Sequence, residues 1–200
     1  MTPTKVICIP TDIDVGKLSK KILRNEPKVI KKYPAKNWNL SSDFDGNTGL
    51  GYNSLTSRSC HFNLLEWWGT GKIRKWIRKG YEEYNDIKDT PLYVQCWANV
   101  MREGEQIKSH RHSDNLDIGG EKFLSGHLSV QVDGSTSTYY GGNPVLNENG
   151  QMTFFPGYVF HWTDRYEGYG ERITVAFDIY NKEFFEYDMT EGAKKHWIRI

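Results

Sequence analysis

Hydrophobic and polar positions follow two different periods along this chain, and the change comes near residue 91. Between residues 63 and 86, apolar side chains recur at steps of three and four residues, with Lys and Arg residues between them. They are Ile73, Trp76, Ile77, Tyr81 and Tyr84. This spacing is typical of one face of an amphipathic helix. Gly69 and Gly71 weaken the first half, so we expect either one helix or two shorter ones.

The residues before this segment give weaker signals. Lys5–Pro10 predicts a short apolar strand that ends at a proline, and Lys17–Arg24 predicts one or two helical turns. Residues 34–60 are rich in Asn, Ser, Asp and Gly, which indicates a long irregular segment. A long loop in a compact domain is often a lid or a binding loop.

Beyond Pro91 the pattern becomes that of short strands separated by Gly and Asn clusters. The predicted strands are Leu92–Met101, Gln106–His112, Leu124–Val132, Met152–Phe155, Tyr158–Trp162 and Arg172–Tyr180. Many short strands with turn signals between them are typical of an all-β sandwich or barrel. We therefore predict a mainly β fold whose N-terminal helices cover one face, followed by a short helix within Lys182–Trp197.

The sequence shows no internal repeat, low-complexity tract or obvious linker, so we expect a single domain over residues 1–200. Its predicted parts are a helical and irregular part (1–90), a β-barrel core (91–180) and a C-terminal extension (181–200). No feature indicates an oligomeric state.

Composition narrows the function classes. The chain has 26 basic and 25 acidic residues, a formal net charge of +1, which gives no reason to expect nucleic acid or an anionic membrane as partner. Its three cysteines include no close pair, so neither a disulfide framework nor a zinc knuckle is implied. Without an apolar signal core or a run long enough to span a membrane, we expect a soluble cytoplasmic protein.

Candidate metal ligands follow one another along the β-rich part. His112 and Asp114 are two positions apart, so they share a face if extended geometry persists that far, and otherwise belong to a polar turn. His161 stands in an apolar stretch, where an imidazole needs a hydrogen bond or a metal. Two imidazoles and one carboxylate form the ligand set that non-haem Fe(II) oxygenases use, and they leave three positions open.

A cation follows on the next predicted strand. Arg172, Thr174 and Ala176 share one face of this strand. If that face is the barrel interior, the guanidinium needs an anionic partner, and a carboxylate-ended cosubstrate would supply one bidentately. The alternative is an edge-strand Arg paired with Glu167 or Glu171.

Leu92–Ile179 resembles the double-stranded β-helix core (a jelly-roll or cupin-like barrel) of the Fe(II)/2-oxoglutarate-dependent oxygenases. It is especially similar to short, prolyl-hydroxylase-like members of that superfamily. The matching elements are Trp97-Ala98-Asn99, Gly104…His110-Arg111-His112, Ser125-Gly126, Phe155-Pro156…His161 and Glu171-Arg172-Ile173-Thr174. They cover a little under half of the chain.

The resemblance implies an iron-dependent oxidoreductase, a dioxygenase that uses O2 and 2-oxoglutarate and releases succinate and CO2. It implies Fe(II) bound by His112, Asp114 and His161. Arg172 and Thr174 would hold the far carboxylate of 2-oxoglutarate, and Asn99 would line its pocket. The implied reaction is hydroxylation of a substrate C–H bond.

One spacing departs from the family. Its Gly-x5-His motif selects His110, which puts His112 in the carboxylate position and leaves Asp114 two residues late. We expect His112 and Asp114 as ligands, because a carboxylate offsets more of the Fe(II) charge than a third imidazole. His110 is the alternative ligand, or a residue that supports one. Expected pocket residues are Trp97, His127, Tyr140 and Trp162.

Two other classes compete with an oxygenase. A cupin-type metal-binding barrel, acting as an isomerase, a dioxygenase or a ligand-binding module, would fit Gly104-x5-His110 and Pro156-x4-His161, but it leaves Arg172 without a task. A metal-free β sandwich that binds carbohydrate or protein would use the many aromatic residues. The sequence names no substrate, and its near-zero charge favours a small molecule or a protein side chain over nucleic acid.

Overall fold

The computed structural model describes residues 5–34, 49–114, 116, 119–189 and 191–200. The described helices are α1 (Val15–Lys32), α2 (Gly71–Asn85), α3 (Lys182–Asp188) and α4 (Glu191–Lys194), with 3-10 turns at Thr56–His61 and Leu64–Glu66. The strands are β1 (Ile7–Pro10), β2 (Leu92–Met101), β3 (Phe123–Gln131), β4 (Ser137–Tyr140), β5 (Asn143–Leu146), β6 (Gln151–Pro156), β7 (His161–Thr163), β8 (Arg172–Asn181) and β9 (Ile198–Arg199).

Within the described residues these strands form two sheets. The larger has the order β1-β6-β3-β8-β2-β9, and the smaller has the order β5-β4-β7. All their pairings are antiparallel. This is a double-stranded β-helix with helices added mainly at its N-terminal side, so the predicted fold class is confirmed.

Strand β8 lies near the centre of the large sheet, and its side chains alternate between the two faces of that sheet. It pairs with β2 along its whole length and with β3 over most of it. Ile173, Val175 and Phe177 belong to the main apolar core. The residues between them point to the other side, because successive side chains of a strand alternate. That second face carries the candidate site.

The apolar face of the sheet is buried against α1 and α2. In α1, Leu18, Ile22 and Val29 recur at near-helical spacing and are buried in the core. The helix begins where the Asp14 carboxylate accepts a hydrogen bond from the Lys17 amide (3.0 Å), a common N-cap arrangement. The predicted segment Lys17–Arg24 was therefore too short, because its apolar stripe continues past Arg24 to Val29.

In α2, Ile73, Ile77 and Tyr81 face the sheet as their spacing predicted. Gly80 allows the helix to approach closely, because a Cβ at that position would lie 1.9 Å from the Phe154 ring. Between residues 63 and 86 the structure has a 3-10 turn of three residues followed by one α-helix, α2, which begins at Gly71.

Three predictions for the β-rich part differ from the structure. Of the predicted strand Tyr158–Trp162, only the last two residues belong to a strand, which is β7. Residues 106–112 form no regular strand; one antiparallel bridge joins His110 to His161. The hairpin of β4 and β5 was missed, because its short strands flank the glycines that we read only as a turn signal. Among the described helices, none combines the length and apolar character needed to cross a membrane.

Candidate metal centre

A cavity of about 310 Å³ lies between the two sheets. Its walls include His110, His112 and His161, together with the β8 residues Arg172, Thr174, Ala176 and Asp178. This volume is at the lower end of the range usual for small-molecule sites. The cavity therefore brings most of the sequence-predicted site residues together.

Among the described residues, His110, His112 and His161 form a group able to hold a metal ion. Each offers one ligand atom, and these atoms lie within 4.8 Å of one another. His110 and His161 face each other across the bridge: the His110 amide donates to the His161 carbonyl (3.1 Å), and the reverse bond is 2.9 Å. The His112 amide donates to the Gly157 carbonyl (2.9 Å). Backbone hydrogen bonds from the segment 110–112 to His161, at the start of β7, and to Gly157 thus position the imidazoles.

The Nδ1 atom of each imidazole has an oxygen partner. His110 Nδ1 lies 2.8 Å from the Lys108 carbonyl, and His161 Nδ1 lies 3.0 Å from the Val159 carbonyl. A carbonyl only accepts, so each of these two Nδ1 atoms carries a proton, and in the neutral imidazole Nε2 then carries the lone pair. Burial is the main reason that the pKa of His161 lies well below its usual range, and the neighbouring histidines lower it further. Neutral imidazole is the form that binds a metal.

His112 has a carboxylate partner. Its Nδ1 lies 2.6 Å from Asp178 Oδ1, and the Ser125 hydroxyl donates to the same carboxylate oxygen (2.6 Å). The sequence reasoning missed Asp178. Extending the alternation Arg172, Thr174, Ala176 by two positions would have placed it on the cavity face.

Asp114 lies outside this cluster. Its side chain is 94% exposed and forms an ion pair with Arg111 (2.7 Å). The predicted set of His112, Asp114 and His161 therefore needs correction: the structure brings His110 to the cluster instead. The extended geometry that would have put His112 and Asp114 on one face does not persist, because the chain bends at both residues.

Arg172 lies on the same cavity face of β8, and 2% of it is exposed. Its Nε donates to the Thr136 hydroxyl (2.8 Å), and its Nη2 has no hydrogen-bond partner among the described residues. Burial lowers the pKa of Arg172 to about 10, so it remains a cation at neutral pH. The alternative pairing with Glu167 or Glu171 is not observed among the described contacts.

Thr174 and Asn99 line the same cavity as Arg172. They are directly opposite each other in the β2–β8 pairing. Asn99 donates from Nδ2 to the Thr174 hydroxyl (3.4 Å), and its Oδ1 accepts from Thr56 (2.7 Å). The Thr174 hydroxyl therefore accepts a hydrogen bond from Asn99, and its own O–H group can donate to another acceptor. Thr56 belongs to the segment 34–60 predicted to be a binding loop; residues 35–48 of that segment lie outside the described residues.

His127 forms a buried polar network behind the arginine. Its Nε2 lies 3.1 Å from the Asn147 side-chain oxygen, and its Nδ1 lies 3.1 Å from the Tyr140 hydroxyl. Burial, and then the positive charge of Arg172, lower the pKa of His127 to about 4. His127 lines the cavity. Tyr140 is not part of the cavity wall, but its hydroxyl contacts His127. Trp97 and Trp162, the other expected pocket residues, are also in the cavity wall.

Neither a family model nor a curated protein matches the sequence. Solved structures do match. The 2-oxoglutarate complex of a viral collagen prolyl hydroxylase from Paramecium bursaria Chlorella virus-1 has a TM-score of 0.52 and 14% identity, covering 87% of this chain and 94% of that chain.

Two further structures match over similar lengths. The nickel complex of the non-haem monooxygenase ThoJ has a TM-score of 0.58 and 11% identity, covering 89% of this chain and 74% of that chain. CytC3 with Fe(II) and α-ketoglutarate has a TM-score of 0.55 and 11% identity, covering 90% of this chain and 74% of that chain. The chain therefore has the fold of Fe(II)/2-oxoglutarate oxygenases, and its activity has to be argued from its own site.

Proposed function

We propose that this protein is an Fe(II)- and 2-oxoglutarate-dependent dioxygenase. The observation that carries the proposal is one cavity with a cluster of three histidines and a buried arginine, one N–H group of which has no partner among the described residues. Neither feature is explained by folding alone. An unsatisfied buried donor costs about 1–3 kcal/mol, and more when it is charged.

The described residues fit the two groups that the proposal requires. His110, His112 and His161 would hold Fe(II) through their Nε2 atoms, because Nδ1 is engaged in each. Arg172 Nη2 is the orphaned buried atom that the far carboxylate of 2-oxoglutarate would satisfy, and Thr174 would add a hydroxyl donor. Neutral imidazoles are ordinary ligands of non-haem iron.

The proposed reaction converts R–H, O2 and 2-oxoglutarate to R–OH, succinate and CO2, with one oxygen atom in each of the first two products. Fe(II), when bound, would supply the chemistry of O2 activation and electron transfer. The protein side chains hold the ligands, fix 2-oxoglutarate by its charge and exclude water. Trp97 and Phe155 contribute apolar walls for that last role.

The substrate that we propose is a small molecule or a protein side chain, hydroxylated at a C–H bond in the cytoplasm. The modest cavity volume and the near-neutral charge of the chain support this choice of substrate class. A screen of succinate release across free amino acids, peptides and small metabolites would identify the class. Release that is the same for Arg172→Met as for the wild-type protein would count against every hit.

A cupin-type metal-binding barrel that does not use 2-oxoglutarate is the second candidate. The structure gives one observation in its favour: the clustered candidate ligands among the described residues are three imidazoles, and the carboxylate that we expected is not one of them. Against it, such a barrel leaves the buried Arg172 without an anion.

An anaerobic titration separates the two candidates. The Fe(II)-loaded protein is titrated with 2-oxoglutarate while the visible spectrum is recorded. A charge-transfer band at green wavelengths is expected for a 2-oxoglutarate oxygenase, and Arg172→Met should need far more 2-oxoglutarate to produce it. Absence of the band in the wild-type protein at millimolar 2-oxoglutarate would favour the cupin-type alternative.

A further inference from the structure

The three clustered histidines differ in what holds their Nδ1 atoms. For His110 and His161 the hydrogen-bond partner is a backbone carbonyl two residues earlier, at 2.8 and 3.0 Å. For His112 the partner is the carboxylate of Asp178, at 2.6 Å. A bond of this length to a carboxylate is charge-assisted and about twice as strong as a neutral one.

Asp178 is held from a second direction. The Ser125 hydroxyl donates to the same Oδ1 atom at 2.6 Å and lies 3.2 Å from His112 Nδ1. Ser125 and Asp178 are directly opposite each other in the pairing of β3 with β8. Ser125 is fully buried, and the Asp178 side chain is 15% exposed. The carboxylate is therefore fixed by two strands of the large sheet rather than by a loop.

We propose that Asp178 is a positioning residue of the metal centre, and that it supplies through His112 the negative charge that the ligand set lacks. This inference rests on the metal site of the proposed function. Three neutral imidazoles leave the full charge of a divalent ion uncompensated. A carboxylate that accepts the Nδ1 proton of a ligand histidine fixes its tautomer and increases the electron donation of its Nε2.

Metal affinity measured without 2-oxoglutarate tests this role. Co(II) binding is followed by its visible spectrum in competition with a chelator, for the wild type and for Asp178→Asn, Asp178→Ala and Ser125→Ala. Asp178→Asn keeps the shape and an acceptor oxygen but removes the charge, so it should weaken binding roughly 10- to 100-fold. Asp178→Ala should lose at least as much, and Ser125→Ala less.

Asp114→Asn is the matched control, because it removes a carboxylate near His112 in sequence that lies outside the cluster. It should bind Co(II) like the wild type. The nitrogen chemical shifts of the His112 ring give a second readout: Asp178→Ala should alter its tautomer populations in the metal-free protein, which a purely structural role elsewhere would not do.

The outcomes separate this inference from the function on which it rests. If the wild type binds Co(II) and Asp178→Asn matches it within about twofold with the same spectrum, the role of Asp178 is refuted and the oxygenase proposal stands. If the wild type itself binds no divalent metal, the proposed function fails first. Should Asp178→Asn not fold, an unchanged affinity in folded Ser125→Ala together with an unchanged His112 tautomer would overturn the inference.

Discussion

The histidine cluster and the surroundings of Arg172 line the same cavity but are built in different ways. The imidazoles of His110 and His112 stand on a segment without regular strand structure, and the hydrogen bonds of all three Nδ1 atoms are made. Arg172 stands on the central strand of the large sheet, and its Nη2 is unsatisfied among the described residues.

This difference indicates two kinds of preorganisation. The histidine cluster is ready in the ligand-free protein, because each ring is already oriented by an oxygen acceptor. The arginine is positioned, but its Nη2 has no hydrogen-bond partner among the described residues, and in the proposed function the far carboxylate of 2-oxoglutarate is that partner. Changes in the first region should therefore affect metal binding, and changes in the second should affect 2-oxoglutarate binding.

The largest expected effect comes from removing a histidine of the cluster. His110→Ala should weaken Fe(II) binding by more than about 100-fold, above the range seen for groups that only support a ligand, and should abolish 2-oxoglutarate-dependent succinate release. Metal binding can be measured anaerobically by chelator competition. Asp114→Ala serves as control and should retain both properties; the reverse result would restore Asp114 as the ligand.

Changes at Arg172 should separate the affinity for 2-oxoglutarate from the affinity for Fe(II). Arg172→Met should weaken 2-oxoglutarate binding by about 2–4 kcal/mol, roughly 30- to 1,000-fold, because a buried charge pair can no longer form. Fe(II) affinity should stay within a few-fold of wild type. Parallel titrations with Fe(II) and with 2-oxoglutarate check this, and equal losses in both would contradict the division of the cavity into two regions.

The same variant should make the ligand-free protein more stable. Removing a buried charged donor without a partner is expected to raise the free energy of unfolding by about 1–3 kcal/mol. Urea denaturation of the ligand-free variant and wild type measures the difference. A clear destabilisation would indicate that the whole Arg172 guanidinium is already satisfied in the ligand-free protein.

The pH dependence of the free energy of unfolding should reveal the lowered pKa of His127, the buried histidine near Arg172. The pKa of His127 is lowered to about 4 in the folded protein, chiefly by burial, against about 6.5 in an unfolded chain. Between these values the unfolded state binds more protons, so stability decreases as pH falls from 6.5 to 4. His127 contributes about 3 kcal/mol to this loss.

A matched variant isolates that contribution. His127→Gln removes the titrating group while keeping a donor toward Asn147, so its stability should depend less on pH over this range. Urea denaturation at several pH values compares the two slopes. Identical slopes would show that His127 titrates normally in the folded protein.

The smallest effect concerns the orientation of the guanidinium. Thr136→Val removes the hydroxyl that accepts from Arg172 Nε (2.8 Å) while keeping the side-chain shape. It should weaken 2-oxoglutarate binding by about 0.5–1.5 kcal/mol, roughly 2- to 10-fold, the usual net contribution of one hydrogen bond. Ser135→Ala, at the neighbouring exposed position, is the control. A loss as large as that of Arg172→Met would instead indicate disruption of the site.

The fold and the arginine region were largely predictable from the sequence. Strands β2, β3, β6 and β8 match their predicted ranges within one or two residues, because their apolar runs are long and end at turn signals. Period-two alternation placed Arg172 and Thr174 on one face of β8, and the cavity lies on that face. Those features depend on local periodicity, which the order of residues alone expresses.

The composition of the histidine cluster depended on contacts between distant segments. The prediction of Asp114 as a ligand assumed that an extended strand continues past His112. The structure differs because of the bridge between His110 and His161 and the bends at His112 and Asp114. The bridge joins an irregular segment to a strand about fifty positions away. Asp178 likewise contacts His112 because backbone hydrogen bonds to Gly157 and His161 hold the segment 110–112 beside β8.

The sequence by itself thus determined which residues share a strand face. From this pattern the β-rich fold and the position of the buried Arg172 could be predicted. Tertiary structure decided which side chains converge on one point. Alternation along a strand is a local steric property, whereas convergence depends on the pairing of segments far apart in the chain, and a single bend can change it.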